Sequence, residues 1–383
     1  MHLSLVTLVL ALVAASAAPA LASHESTPHS ATLTKRAPGF QRRVRRSAGI
    51  GLEARAETLD ERALVIPNVK KRTSAKTYSA LVAIGASYTD NAHSRASKYA
   101  GSLRDYHPYS KWEGRYSNGK VAVEYMAEAG LKKASGGLEL LDYAYGGSVI
   151  ENQLSGTGAS WPAAKDQAAA FLSDLKAGKV STPSSRTLVY ANSGINVVTQ
   201  LWNNALGQGL TSSAMAKAKA GITANTEAYA AALRSINTSS DVKKKLKGGV
   251  DFLVVGIPAL EIVPMVGWQV PSSYSSDKRA RALAFVKTLT EQFNDELRAF
   301  AAALKTENKN GSAMFYDLAS LWYSIDASPK AYGITKGTST CYNSTTGGVC
   351  TDPSSYLYFD TLHPVTSVHK LMAEKMTLLV SRQ

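Results

Sequence analysis

Cysteine is scarce. Two thiols in 383 residues exclude a disulfide-framework miniprotein and any zinc ribbon that needs four thiolates. After residue 22 no apolar run approaches the roughly 20 residues of a membrane-spanning helix, so no membrane span is expected in the mature form. Glycine (28) and proline (13) follow ordinary usage with no repeat period, which sets aside collagen-like, low-complexity and solenoid chains. Charged residues make up only 19%, and the formal net charge of +14 is concentrated: 11 of the 43 Lys/Arg, against 5 of the 29 Asp/Glu, lie in residues 1–72. Elsewhere the one dense cluster is Lys243, Lys244, Lys245 and Lys247, which reads as a solvated helix end. No aromatic-interleaved basic strip is present, so nucleic acid is excluded as a partner. What remains is a chain 45% hydrophobic, enough to bury a sizeable core.

Residues 3–22 are uncharged, rich in Leu, Val and Ala, and end in Ala20-Leu21-Ala22, a small-x-small cleavage pattern. This predicts a signal peptide over 1–22 and secretion; a retained anchor is the competing reading, but a stop-transfer flank is missing. Residues 23–76 carry Lys35-Arg36, Arg42-Arg43, Arg45-Arg46 and Lys70-Lys71-Arg72, and read as a basic pro-region or linker. Secretion fits three N-x-S/T sequons, at Asn237, Asn310 and Asn343, as glycosylation sites. In an oxidising compartment Cys341 and Cys350 should pair across a polar loop, constraining the unfolded chain by about 2 to 3 kcal/mol; two unrelated thiols are the alternative.

From residue 77 to 383 short apolar runs alternate with amphipathic segments. Residues 79–84, 138–143, 187–191, 252–257 and 313–318 have strand length and composition. The clearest helix is 278–305, where Ala282, Val286, Leu289, Phe293, Leu297, Phe300 and Leu304 recur every three or four positions. Alternating strands and helices predict an α/β fold, a five-stranded parallel sheet covered on both faces, with the functional site at the carboxyl ends of the strands.

Chemistry-bearing residues fall where that site should be. Ser87, in Gly85-Ala86-Ser87-Tyr88-Thr89-Asp90, follows the first strand on a strand-to-helix turn, where a hydroxyl is exposed and backbone N–H groups can face an anion. Tyr145-Gly146-Gly147-Ser148 follows the second strand and Asn192-Ser193-Gly194-Ile195-Asn196 the third. Taken singly, each reads more readily as a cap or turn than as a catalytic group. Asp360-Thr361-Leu362-His363-Pro364 precedes a last amphipathic helix bearing Val365, Val368, Leu371 and Met372, and can set a carboxylate against one imidazole nitrogen while the other points outward. His93 repeats the Asp-x-x-His spacing from Asp90 but reads as a surface or packing residue. His107 has no evident partner, and the gap from His363 to His369 does not suit a two-histidine zinc site.

Together, Ser87, Gly146, Asn196 and His363, with the Gly114-Arg115-Tyr116-Ser117-Asn118-Gly119 segment between the first two, resemble the blocks of the SGNH or GDSL-type serine esterases. The likeness runs from about residue 78 to 380. The tail, with Cys341, Cys350, Tyr358-Phe359-Asp360, His363-Pro364 and His369, is similar to secreted fungal acetylesterases and GDSL acylhydrolases. The resemblance implies a three-layer α/β/α sandwich, flavodoxin-like, and a two-step acyl transfer without cofactor or metal. In it Ser87 attacks, His363 moves the proton and Asp360 orients the imidazole, while the Ser87 and Gly146 N–H groups and the Asn196 side chain meet the oxyanion. The implied substrate is a short-chain ester, acetyl above all, on plant cell-wall carbohydrate, cleaved by a monomer. A lipid acylhydrolase and a non-catalytic carbohydrate-binding protein on the same fold are the alternatives. Ala86 and Val197 stand where the family usually has Asp, which implies altered loop rigidity with the chemistry retained. Trp112, Tyr116, Tyr145, Trp161 and Trp202 lie near these loops and could stack on sugar rings or simply pack.

Overall fold

In a computed structural model of the chain, residues 76–92, 114–155, 161–180 and 185–383 are described. The expectations for residues 1–22 and for the basic segment as far as 75, and those for His93, His107 and Trp112, lie outside the described residues.

Strands β1 (Tyr78–Gly85), β2 (Glu139–Asp142), β3 (Arg186–Asn192), β4 (Val250–Val255) and β5 (Ala313–Tyr316) form one sheet in the order β2-β1-β3-β4-β5. Every pairing is parallel. All five runs expected from the sequence are strands, because a parallel sheet covered on both faces demands continuous apolar runs; β1 and β4 are buried at every position. The fourth strand stops two residues earlier than expected. Asn294 takes over both backbone groups of Ile257, accepting its N–H at 2.8 Å and donating to its carbonyl at 3.0 Å.

Helices Ala164–Lys176, Ile195–Gly207, Ser212–Thr238 and Ser276–Glu307 pack on one another as one layer. On the other side Thr366–Ser381 packs against Ala122–Tyr125, the turn Met126–Gly130 that follows it, and β5. The long helix begins two residues before the apolar pattern does, because Ser275 caps it with its side chain toward the Lys278 N–H. Lys245 of the basic cluster is not simply solvated: its ammonium donates to the Leu175 and Lys176 carbonyls at the carboxyl end of Ala164–Lys176. Among the described residues no helix is long and apolar enough to cross a membrane.

A second sheet of two short strands, β6 (Lys336–Thr340) and β7 (Tyr356–Tyr358), is not evident in the sequence, since β6 is Lys-Gly-Thr-Ser-Thr with no apolar face. Just after it, Cys341 and Cys350 are disulfide-bonded, and Tyr342 bridges Val349 inside the loop they close. Of the sequon asparagines, Asn310 and Asn343 are exposed, whereas Asn237 is half-buried near the end of Ser212–Thr238.

The strand order reverses at β1, which has β2 on one side and β3 on the other, so a crevice opens at the carboxyl ends of β1 and β3. There Gly85 pairs with Asn192. The amino ends are stapled by Asp251, fully buried, which accepts from Arg186 through both oxygens (2.7 Å each), from the Tyr78 hydroxyl (2.8 Å) and from the Ser312 N–H (2.7 Å). Burial would raise the Asp251 pKa, but the Arg186 hydrogen bonds and the charges of Arg186 and Lys76 outweigh it and hold the carboxyl below its usual range.

Candidate active site

β1 ends at Gly85, where a side chain cannot fit: a Cβ would lie 2.5 Å from the Thr89 hydroxyl and 2.8 Å from the Asn192 carbonyl. The backbone of Gly85 is instead a hub. Its N–H donates to Gln167 Oε1 (2.9 Å), and its carbonyl accepts from Gln167 Nε2 (3.0 Å), Ser148 Oγ (2.9 Å) and the Tyr145 N–H (3.2 Å). Ser87 follows on a single turn closed by the Thr89 and Asp90 N–H groups, both donating to the Ala86 carbonyl. The turn leaves the Ser87 N–H with no partner among the described residues.

The histidine comes from the far end of the chain. Asp360 Oδ1 accepts from the Leu362 and His363 N–H groups (2.8 and 2.7 Å), folding the Asp-x-x-His segment into a tight side-chain-closed turn. The same carboxylate meets His363 Nδ1, with Oδ2 at 2.8 Å and Oδ1 at 3.0 Å, while His363 Nε2 lies 2.7 Å from Ser87 Oγ. A carboxylate only accepts, so Nδ1 carries the proton and Nε2 offers its lone pair to the serine hydroxyl. The three side chains are about nine-tenths buried.

Three braces hold this loop. Tyr88, next to the serine, donates its hydroxyl to the Leu362 carbonyl (2.8 Å). Ser117 donates to the Pro364 carbonyl (2.9 Å), and Asn118 Oδ1 accepts from the Thr366 N–H (2.9 Å). The Gly114–Gly119 motif is therefore a clamp on the histidine loop, itself anchored by the buried Arg115–Glu124 pair. The Tyr116 ring stands 5.1 Å from the imidazole centroid.

The residues expected to meet an oxyanion are placed as follows in the fold. The Gly146 N–H, expected to face a substrate, donates instead to Asp90 Oδ2 at 2.6 Å, and an amide hydrogen so engaged is not available to a second acceptor. Gly146 is small for another reason: a Cβ there would strike the Tyr116 ring at 2.3 Å. The next residue, Gly147, has φ +77° and is exposed, and its N–H has no partner among the described residues. The Gly-Gly pair thus presents two amides, of which only the second is unengaged among the described residues. Asn196 lies in the first turn of Ile195–Gly207, after Gly194, whose φ of +136° and contact with Phe293 exclude a side chain. One hydrogen of its Nδ2 goes to the Ser148 carbonyl (2.8 Å), which ties this helix to the Gly146-Gly147 loop; the other has no described partner.

A pair of fully buried carboxylates cross-links the two loops. Asp90 accepts from Gly146 and from the Ala92 N–H (2.7 Å), while Asp142, at the end of β2, accepts from the Asn91 (3.1 Å) and Ala144 (2.9 Å) N–H groups. Burial, and then the nearby Asp90 charge, raise the Asp142 carboxyl well above its usual range. Ala86 and Val197, where the resemblance led to an expectation of Asp, are both buried, and the bracing is carried by Gln167, Asp90, Asp142 and Asn196. His369 is fully buried, with neither nitrogen partnered, its ring edge-on to Tyr88. Trp202 is core, donating to the Ala282 carbonyl (2.9 Å). Among the described residues no three His, Cys, Asp or Glu side chains converge as a metal site would require.

The sequence matches a known family. A family model described as GDSL-like Lipase/Acylhydrolase matches residues 81–376. Among solved structures the chain is similar to an extracellular lipase from Streptomyces rimosus, at 15% identity and a TM-score of 0.39, covering 79% of this chain and 99% of that one. It is also similar to a GDSL-like protein from Parabacteroides merdae, at 14% identity and a TM-score of 0.36, covering 82% and 99%. No curated protein sequence matches.

Proposed function

Since the chain belongs to the GDSL-like lipase/acylhydrolase family, whose members are carboxylic ester hydrolases, we propose that Ser87, His363 and Asp360 are its catalytic triad. The observation that carries the proposal is the continuous chain from Ser87 Oγ through His363 to Asp360, with links of 2.7 and 2.8 Å. Ser87 Oγ adds to the ester carbonyl as its proton passes to Nε2. The imidazolium, stabilised by Asp360, then returns that proton to the departing alcohol. Water attacks the acyl-serine by the same route, releasing the acid and restoring the hydroxyl.

The developing oxyanion is assigned to the Ser87 N–H, the Gly147 N–H in place of that of Gly146, and the second Nδ2 hydrogen of Asn196. These donors are held before reaction by the Ser148 and Asp90 contacts, so their orientation adds no reorganisation cost in the transition state. The finer reading is a secreted enzyme acting on short-chain esters, acetyl above all, of cell-wall carbohydrate. The Cys341–Cys350 disulfide supports an oxidising compartment, and the exposed Asn310 and Asn343 suit glycan attachment.

Ser87→Ala is expected to lower hydrolysis of an aryl acetate by about 10⁴-fold or more with an unchanged circular dichroism spectrum. A fluorophosphonate should label the parent at Ser87 and leave the variant unlabelled. Undiminished turnover in Ser87→Ala would overturn the assignment, and absence of labelling in the parent would favour a non-catalytic protein. Parallel assays on acetylated xylan fragments, aryl acetate and a long-chain triglyceride decide between carbohydrate and lipid esters.

A further inference from the structure

Resting on that esterase reading, we propose that Trp161, backed by Tyr145, is a binding platform for carbohydrate, taking the apolar face of a sugar ring in an acylated oligosaccharide beside Ser87.

Large exposed apolar side chains are few: among the described residues they are Leu154, Trp161, Trp268 and Leu378. Trp161 differs from the others in being stacked, its ring centroid 5.8 Å from that of Tyr145 with the planes at 22°, yet 48% of it stays exposed. Stacking on Tyr145 thus orients the indole while about half of the residue stays open to a ligand. The position is also built. The Trp161 carbonyl accepts from Asn152 Nδ2 (2.8 Å), and the carbonyl of the following Pro162 accepts from Gln167 Nε2 (2.9 Å).

That same Gln167 nitrogen donates to the Gly85 carbonyl, which also receives the Tyr145 N–H. Both halves of the aromatic pair therefore hang on one backbone atom two residues before Ser87. Tyr145 leads directly into Gly146-Gly147, so the platform and the loop assigned to the oxyanion belong to one chain segment.

A fixed aromatic left half in water contributes little to folding, whereas its rigidity lowers the entropy lost when a ligand covers it. The surroundings select the ligand. The Glu151–Lys165 ion pair (2.5 Å) is borne by the segments that hold the platform, Glu151 adjoining Asn152 and Lys165 lying two residues before Gln167 on the same helix. A lipid layer over Trp161 would have to desolvate both charges. A pyranose lays its C–H face on the indole and keeps its hydroxyls toward water and the ion pair.

The test is binding of unacetylated xylotetraose to the full chain, by calorimetry and tryptophan fluorescence, alongside hydrolysis of an acetylated xylo-oligosaccharide and of triacetin. Trp161→Ala should weaken xylotetraose binding about tenfold or more, and lower kcat/KM for the oligosaccharide by the same factor relative to triacetin. Trp161→Tyr should keep most of the affinity. Trp268→Ala, which removes the most exposed of the described tryptophans, on the short helix Pro264–Gln269, should keep all of it. Binding by Trp161→Ala within about twofold of the parent, or an equal loss in Trp268→Ala, overturns the proposal. Selective loss of activity on emulsified tributyrin with the oligosaccharide unaffected also overturns it, and assigns the platform to lipid. Xylotetraose binding does not require Ser87, so the platform can fail while the esterase stands, and failure of the Ser87→Ala test leaves the binding result readable.

Discussion

Replacing Asn196 with alanine separates catalysis from packing. In the structure one Nδ2 hydrogen is spent on the Ser148 carbonyl at 2.8 Å and the other is assigned to the oxyanion. Losing an oxyanion donor costs about 2.7 to 4 kcal/mol of transition-state stabilisation, roughly 10²- to 10³-fold in kcat. Losing the neutral hydrogen bond to Ser148 costs about 1 kcal/mol of stability, a melting shift of about 1 to 2 °C in a fold of this size. Because the oxyanion forms after binding, KM should move only a few-fold. Asn196→Asp keeps the shape but cannot donate, and it sets a carboxylate against both the Ser148 carbonyl and the developing negative charge, so it should be at least as slow as the alanine variant. The measurement is kcat and KM on an aryl acetate together with thermal melts of parent and both variants. If the melting temperature falls while kcat stays within a few-fold of the parent, Asn196 is only a turn residue and the oxyanion assignment is wrong.

Asp90→Asn should lower kcat about tenfold with little change in KM, because an amide can accept from only one of the Ala92 and Gly146 N–H groups and turns an N–H toward the other, shifting the Gly146-Gly147 loop; a kcat within about twofold of the parent would refute the brace. Asp251→Asn should cost about 3 to 5 kcal/mol in urea unfolding at neutral pH by leaving Arg186 without its buried partner. The Asp251 pKa is lower in the folded protein than in the unfolded chain, so its contribution is present above about pH 4 and is lost as pH falls further, and the variant should lack that part of the acid sensitivity. His369, pushed down to about 3 by burial and then by His363, stays neutral in the fold while the unfolded chain takes up a proton below about pH 6.5. Stability should thus fall with decreasing pH by up to about 1.4 kcal/mol per unit from this residue, and His369→Leu should remove that slope; an unchanged slope would mean that the buried imidazole protonates in place.

The five strands, the long helix and the residues of the proposed triad were legible because their signals are local. Buried parallel strands write themselves as apolar runs. Asp360 and His363 belong to one four-residue turn whose hydrogen bonds are closed by Asp360 itself, and Ser87 follows directly on a strand end. β6 was not legible, since a paired but exposed strand of Lys-Gly-Thr-Ser-Thr carries no apolar alternation. The purpose of Gly114–Gly119 was equally hidden: the residues were conspicuous, but the carbonyl of Pro364 that Ser117 holds lies 247 positions away.

The amino-acid order by itself determined which elements form, in what succession, and that a serine, two glycine- or asparagine-bearing loops and an Asp-His turn come to the carboxyl edge of one sheet. Only the tertiary structure decided which backbone hydrogens remain for a substrate. Gly146 and Gly147 are the same letter, and what separates them is that the Asp90 carboxylate reaches the first amide from another loop while the second sits at positive φ facing outward. The direction and occupancy of an N–H are set by the backbone angles and by partners distant in sequence, and neither is encoded in the identity of the residue that carries it.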